Sequence, residues 1–134
     1  MTVVLDCNIV VMSLTSKSEY HRIYRSLLNG DFNIAVSDEI VLEYEEIIER
    51  KYNIKAAKAF VSLLWELPNV LHTPVYFNWK LIQTDADDNK YVDCAIAAQA
   101  ECIVTEDKHF QILTQISFPK VHTISIDRFL EKLN

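Results

Sequence analysis

The sequence predicts an α/β fold: a three-layer α/β/α sandwich around a parallel sheet of four to five short strands. Two observations carry this. The runs at residues 2–5, 32–36 and 102–104 are short, β-branched or aliphatic, and lack the polar alternation of a half-solvated strand, so they read as strands buried on both faces. Between them lie helical patterns of apolar residues spaced by three and four, which gives the strand-helix alternation of a parallel sheet. Right-handed crossovers put every strand C-terminus on one edge, the edge at which open α/β sheets place ligands. At 134 residues, 1–134 is expected to be one domain with mass enough for a sizeable core.

Taken in order, Thr2 to Leu5 resembles a central strand with Asp6-Cys7-Asn8 at its mouth. Asp6 is either a polar site residue or a turn and capping aspartate before the apolar run at 9–12, which Asn8 could cap equally well. Ser16-Lys17-Ser18-Glu19 has capping-box spacing and is expected to open a helix to about Leu28, closed by Asn29-Gly30. Phe32 to Val36 is the second strand. Ser37 or Asp38 caps the next helix, on which Ile40, Tyr44, Ile47 and Ile48 form the inward stripe and Glu43 lies at its edge. Residues 56–67 form a further amphipathic helix, stopped by Pro68-Asn69. Val70-Leu71 is a possible short strand, and 74–82 is loop or a brief helix. Residues 91–100 read as a helix and 102–104 as a strand. A helix at 108–115, a strand at 121–126 and a C-terminal helix capped by Asp127 complete the chain.

Composition excludes several classes. The single glycine, Gly30, rules out a P-loop or dinucleotide fingerprint, because both need several glycines for close approach of backbone to phosphate. Cys7, Cys94 and Cys102 are odd in number, sit in or beside apolar runs and form no C-x-x-C pair, so they read as reduced core thiols and a zinc site is not expected. No apolar run reaches membrane-spanning length and no secretory leader is legible, so the expectation is a cytoplasmic protein without membrane contact. The net charge of −6 argues against nucleic acid at first sight. Setting aside Asp6, Glu43, Asp85, Asp87, Asp88, Asp93 and Asp107 leaves the remainder at +1, so the acidity can belong to one site whose sign bound cations would invert. Arg50, Lys51, Lys55 and Lys58 form a basic patch at a helix junction, read either as a solvated helix end or as a polyanion contact. His72, His109 and His122 read as ordinary surface or edge histidines.

The densest chemistry lies at residues 85–107, D-A-D-D-N-K-Y-V-D-C-A-I-A-A-Q-A-E-C-I-V-T-E-D. From 91 to 100 only Asp93 and Gln99 interrupt the apolar pattern, which places Asp93 where water is scarce. A carboxylate there costs several kcal/mol, roughly, unless donors or a cation hold it. Thr105 and Asp107 come off the end of the 102–104 strand, at the edge where Asp6 should emerge. Asp107, Asp85, Asp87 and Asp88 also have a plain alternative as helix caps or first-turn acids. A converged, oxygen-only donor set suits Mg²⁺ or Mn²⁺.

With these residues in place the sequence resembles the PIN domain family. Val4-Leu5-Asp6-Cys7-Asn8, Glu43 on the helix after the second strand, Asp93-Cys94-Ala95-Ile96-Ala97-Ala98, and Val104-Thr105-Glu106-Asp107 look like that family's four acidic motifs. D-x-D-D-N-K-Y-V-D-C-A before V-T-x-D is similar to the branch of PIN ribonucleases regarded as toxins of toxin–antitoxin pairs. The resemblance implies a PIN-like fold and a divalent-metal-dependent ribonuclease that hydrolyses RNA phosphodiesters with a metal-activated water. It assigns catalysis and metal binding to Asp6, Glu43, Asp93 and Asp107, a further metal ligand to Asp88, and supporting roles at the substrate to Asn8 and Thr105. Mg²⁺ or Mn²⁺ is the implied cofactor, and an antitoxin and a second copy of the chain are implied partners. Two other classes compete: a phosphoryl-accepting signalling domain, for which the placement of acids and lysine matches poorly, and an inactive PIN-fold binding module.

Overall fold

A computed structural model describes residues 1–134. Five parallel strands form one sheet in the order β3-β2-β1-β4-β5, with β1 at Thr2–Leu5, β2 at Asn33–Val36, β3 at Val70–His72, β4 at Cys102–Val104 and β5 at Thr123–Ile124. In register, Val3 faces Ile34 on one side and Cys102 on the other, and Leu5 faces Val104. The chain fills the sheet from β1 outward through β2 and β3, then returns to lay β4 on the opposite side of β1. That reversal makes the gap beyond the carboxyl ends of β1 and β4 the topological switch point, where open α/β sheets bind ligands.

Helices cover both faces: α1 (Cys7–Leu14), α2 (His21–Asn29), α3 (Asp38–Lys51), α4 (Ile54–Glu66), α5 (Asn89–Ala98) and α6 (Ile126–Lys132). The absence of polar alternation in the strands follows from this cover, since Val3, Val4, Ile34, Ala35, Val36, Ile103 and Val104 have no solvent exposure. Each Val or Ile side chain among them contributes about 1.5–3 kcal/mol by leaving water. Tyr44 on α3 is fully buried, and its hydroxyl donates to the Leu5 carbonyl, which fixes the end of β1 against α3. Gly30 ends α2 at φ 76°, the left-handed conformation a C-terminal cap needs, and its N–H returns to the Leu27 and Ser26 carbonyls. No helix is long and apolar enough to cross a membrane.

Several boundaries differ from the sequence reading for local reasons. The serine-rich segment before α2 does not form a capping box. Thr15 Oγ1 accepts from Lys17 N–H at 3.4 Å and Ser18 Oγ accepts from Tyr20 N–H at 3.0 Å, closing turns, so α2 begins only at His21. β5 has two residues rather than six, because Ser125 Oγ accepts from Arg128 N–H at 3.2 Å and starts α6 at Ile126. Ser125 is therefore the cap, and Asp127 lies in the first turn of α6. Lys108–Gln115 is 3-10 rather than α-helix. Helix α5 starts at Asn89 and stops at Gln99, which has φ 54°. Val70 and Leu71 do form an edge strand, and residues 73–84 run without regular structure across the outside of α5. The basic patch of Arg50, Lys51, Lys55 and Lys58 falls at the edge opposite the strand C-termini, because α3 starts at that carboxyl edge and runs back. All three cysteines are free, and burial pushes the Cys7 and Cys94 thiols up to about 12 and Cys102 to about 11.

Candidate active site

Asp6 leaves the carboxyl end of β1 and occupies the cap position of α1, yet its side chain makes no cap hydrogen bond. Instead, Oδ2 accepts from the Thr105 hydroxyl at 2.8 Å, and Thr105 Oγ1 in turn accepts from the Asp107 N–H at 3.0 Å. The backbone repeats the join, with Asp6 N–H donating to the Val104 carbonyl at 3.1 Å. Two strand ends a hundred residues apart in sequence are thus stitched together, and both their aspartates stand at the same rim. Asn8 is exposed in the first turn of α1.

The polar residues of the D-A-D-D-N-K-Y run divide among several partners. Asp85 caps the short 3-10 turn at Ala86–Asp88 by accepting from Asp87 N–H at 3.1 Å. Asp88 sits at the cap position of α5 without capping it, and its Oδ2 lies 3.3 Å from His109 Nδ1. Asn89 turns outward to bond both the N–H and the carbonyl of Ile82, at 2.9 and 2.8 Å. Lys90 Nζ meets Glu43 Oε2 at 2.6 Å, and the Tyr91 hydroxyl donates to the other Glu43 oxygen.

Four carboxylates therefore gather beyond β1 and β4: Asp6, Asp85, Asp88 and Asp107. His109 reaches into the group, with Nδ1 3.3 Å from Asp107 Oδ1 and 3.6 Å from Asp85 Oδ2. Asp85, Asp88 and His109 each offer one ligand atom within 4.8 Å of the others. Asp107 also caps the following 3-10 segment through His109 N–H at 2.9 Å, as its alternative reading expected. Two of these acids cap, and two at cap positions forgo the cap bond and face one another's charge. That is a costly arrangement in the absence of a compensating cation.

The electrostatics follow from the crowding. Burial raises the Asp88 carboxyl to about 6, with Asp107, Asp85 and Asp6 adding to the rise. Burial likewise raises Asp6, the Thr105 bond opposes it, and Asp107 pushes it further up. A hard, oxygen-rich donor set with one imidazole at its rim, strained by its own negative charge, fits a divalent cation such as Mg²⁺ or Mn²⁺.

Asp93 is not part of this group. It is buried as the sequence indicated, at 5 % exposure, but five residues after Asp88 it points about 140° round the helix. Its Oδ1 accepts from the Trp79 N–H at 3.0 Å, so it fastens the 73–84 segment to α5. Burial raises its carboxyl, Trp79 opposes this, and Glu39 is the acid that adds to it. Asp93 lines a separate cleft of about 940 Å³ with Glu39, His72, Lys80 and Lys90. Glu43 is adjacent to the acid group through Cys7 but is engaged. Burial alone would raise its carboxyl, and the Lys90 and Tyr91 bonds outweigh it and leave it lowered. The sequence counted Asp85 among the acids of one possible site, with helix capping as its alternative, but read His109 as an ordinary surface or edge histidine. The available signal was position: His109 lies two residues beyond the acid that ends the β4 motif.

Comparisons with known proteins bear on the family and the fold. The family profile described as PIN domain matches residues 2–109. No curated protein matches the sequence. Among solved structures, VapBC2 from Rickettsia felis, bound to a DNA fragment from its promoter, is similar with a TM-score of 0.63 and 16 % identity, covering 93 % of this chain and 98 % of that one. VapBC-1 from nontypeable Haemophilus influenzae gives 0.58 and 19 % over 95 % and 99 %. Mycobacterium tuberculosis VapC20, described as a sarcin–ricin-loop-cleaving toxin, gives 0.60 and 12 % over 90 % and 98 %. At these identities the likeness is one of fold.

Proposed function

This chain belongs to the PIN domain family, and from that premise we propose that it is a divalent-metal-dependent endoribonuclease, the toxin of a toxin–antitoxin pair acting in the cytoplasm. The observation that carries the proposal is the meeting of Asp6, Asp88 and Asp107 at the switch point of the sheet, two of them at helix starts they do not cap. The fold likeness to VapBC proteins and to a toxin described as cleaving the sarcin–ricin loop supports the substrate class and an antitoxin partner. A homodimer belongs to the same reading.

Asp6, Asp88 and Asp107 would hold the ion, with Asp85 and His109 at the rim. When bound, Mg²⁺ or Mn²⁺ lowers the pKa of a coordinated water and offsets charge on a phosphodiester. The chain's own groups do the positioning. The Thr105 hydroxyl fixes the rotamer of Asp6 and is itself fixed by the Asp107 N–H, so the two strand-end acids are held before any ligand arrives. Lys90 and Tyr91 keep Glu43 ionised and oriented beside Cys7, where it supports the site's charge from behind. In this reading Asp88 takes the place that the sequence motif suggested for Asp93, and Asp93 keeps a positioning role through Trp79.

Calorimetric titration of Mn²⁺ into wild type and Asp6→Asn, followed by RNA cleavage with and without EDTA, tests the proposal. Expected are binding at one class of site that weakens about tenfold or more in Asp6→Asn, and cleavage that EDTA abolishes. EDTA-resistant cleavage, or equal metal binding by both proteins, would overturn it.

A further inference from the structure

The segment that Asp93 and Asn89 fasten to α5 carries aromatic side chains that the core does not use. Tyr76 is 91 % exposed and Phe77 62 %, and Phe118, from the loop after the 3-10 segment, is 82 % exposed. Phe77 and Trp79 pack edge to face at 4.7 Å between ring centres, and Trp79 meets Phe118 in the same manner at 6.3 Å. Two loops remote in sequence therefore build one aromatic cluster in water, which the hydrophobic effect disfavours unless the rings have an occupant.

Charge indicates which occupant. The two longest stretches of the chain without Asp or Glu are residues 67–84 and 108–126, and these are the two that meet in the cluster. In a chain of net charge −6, the rings are flanked by exposed Lys80 and Lys120, with no acid on either loop. Rings on loops that carry lysine and no carboxylate of their own fit an unpaired nucleic-acid strand, whose bases stack on rings while its phosphates meet ammonium groups. The cluster is also anchored to two elements that lead to the acid group. Trp79 N–H is held by Asp93, about one and a half helical turns from Asp88, and the Phe118 loop continues the segment that begins at Asp107 and His109.

We propose that Phe77, Trp79 and Phe118 form a base-stacking platform that binds single-stranded RNA. The inference rests on the ribonuclease reading for its substrate, but it is tested without catalysis. Anisotropy of a short fluorescein-labelled single-stranded RNA is measured in EDTA with wild type, Phe77→Ala, Phe118→Ala and the double variant. Both phenylalanines are exposed, so the fold should persist, and circular dichroism checks it. Affinity is expected to fall about tenfold for each ring removed, to be recovered in Phe118→Tyr, and to be weaker for duplex than for single-stranded RNA. In a Trp65→Phe background, Trp79 fluorescence should be quenched as RNA binds. Unchanged affinity in the double variant overturns the proposal, as does equal loss for single-stranded and duplex RNA. A dimer that becomes monomeric in the double variant with RNA binding intact also overturns it, assigning the rings to contact between copies. Ring-dependent binding by a chain that cleaves no RNA would support the platform and remove the nuclease. Cleavage with KM unchanged in the double variant would do the reverse.

Discussion

Helix α5 carries two buried aspartates with different fates. Asp88, at its start, faces Asp6, Asp85 and Asp107 and is raised to about 6, with His109 beside it. Asp93, five residues on, is more deeply buried, yet it has a backbone N–H to accept from and only Glu39 as an acidic influence. Burial alone thus does not distinguish the two. What separates the two is the company each keeps: Asp93 meets the Trp79 N–H, whereas Asp88 meets the His109 imidazole and three further acids.

The sharpest way to break this contrast is to neutralise each acid in turn. Asp88→Asn is expected to lower metal-dependent RNA cleavage by about a hundredfold or more, while Asp93→Asn, which keeps an acceptor oxygen for Trp79, should change it less than about threefold. Initial rates on one RNA substrate at saturating Mg²⁺ decide it, and the reverse order would return the site to Asp93. A second comparison sets the free acids against the paired one. Lys90→Met leaves Glu43 half-buried without its cation and should destabilise the fold by about 1–2 kcal/mol in urea titrations, with m unchanged. Equal midpoints would show that Tyr91 alone suffices.

The smallest expected effect is in pH. Asp6 and Asp88 have folded pKa values above their unfolded ones, so in metal-free protein the folded state binds more protons between about pH 4 and 6 and stability falls as pH rises through that window. Glu43 has the opposite sign: its contribution is present above its unfolded pKa and is lost as pH falls through its lowered folded value. Thermal melts in EDTA should therefore decline by a few degrees, about 2–4 °C, from pH 4.5 to 6.5. The decline should flatten in Asp88→Asn. An upward slope in wild type would mean that the acids are not mutually destabilising.

Much of the fold was legible because burial writes itself into periodicity. The unalternating runs of β1, β2 and β4 and the stripe of Ile40, Tyr44 and Ile48 are direct consequences of a sheet covered on both faces. Short polar segments were less legible. Ser16 and Glu19 have the spacing of a capping box, but Thr15 and Ser18 close competing turns of similar energy, and spacing does not rank the two. The site was legible in part for the same reason. Asp6, Thr105 and Asp107 sit at strand ends, and parallel topology obliges strand ends to share a rim. Which acid of D-A-D-D-N-K-Y-V-D turns toward that rim depends on rotation about α5, and one residue of difference in where the helix starts swings a side chain by about 100°.

By itself, then, the sequence determined the layered architecture, the carboxyl-edge location of the candidate site and the family, since hydrophobic spacing and crossover handedness act locally along the chain. Only the tertiary structure decided that Asp88 rather than Asp93 joins Asp6 and Asp107, that His109 enters their midst, and that rings from two distant loops share one exposed surface. Those outcomes are set by contacts between segments far apart in sequence, where a side chain's partner is chosen by three-dimensional proximity.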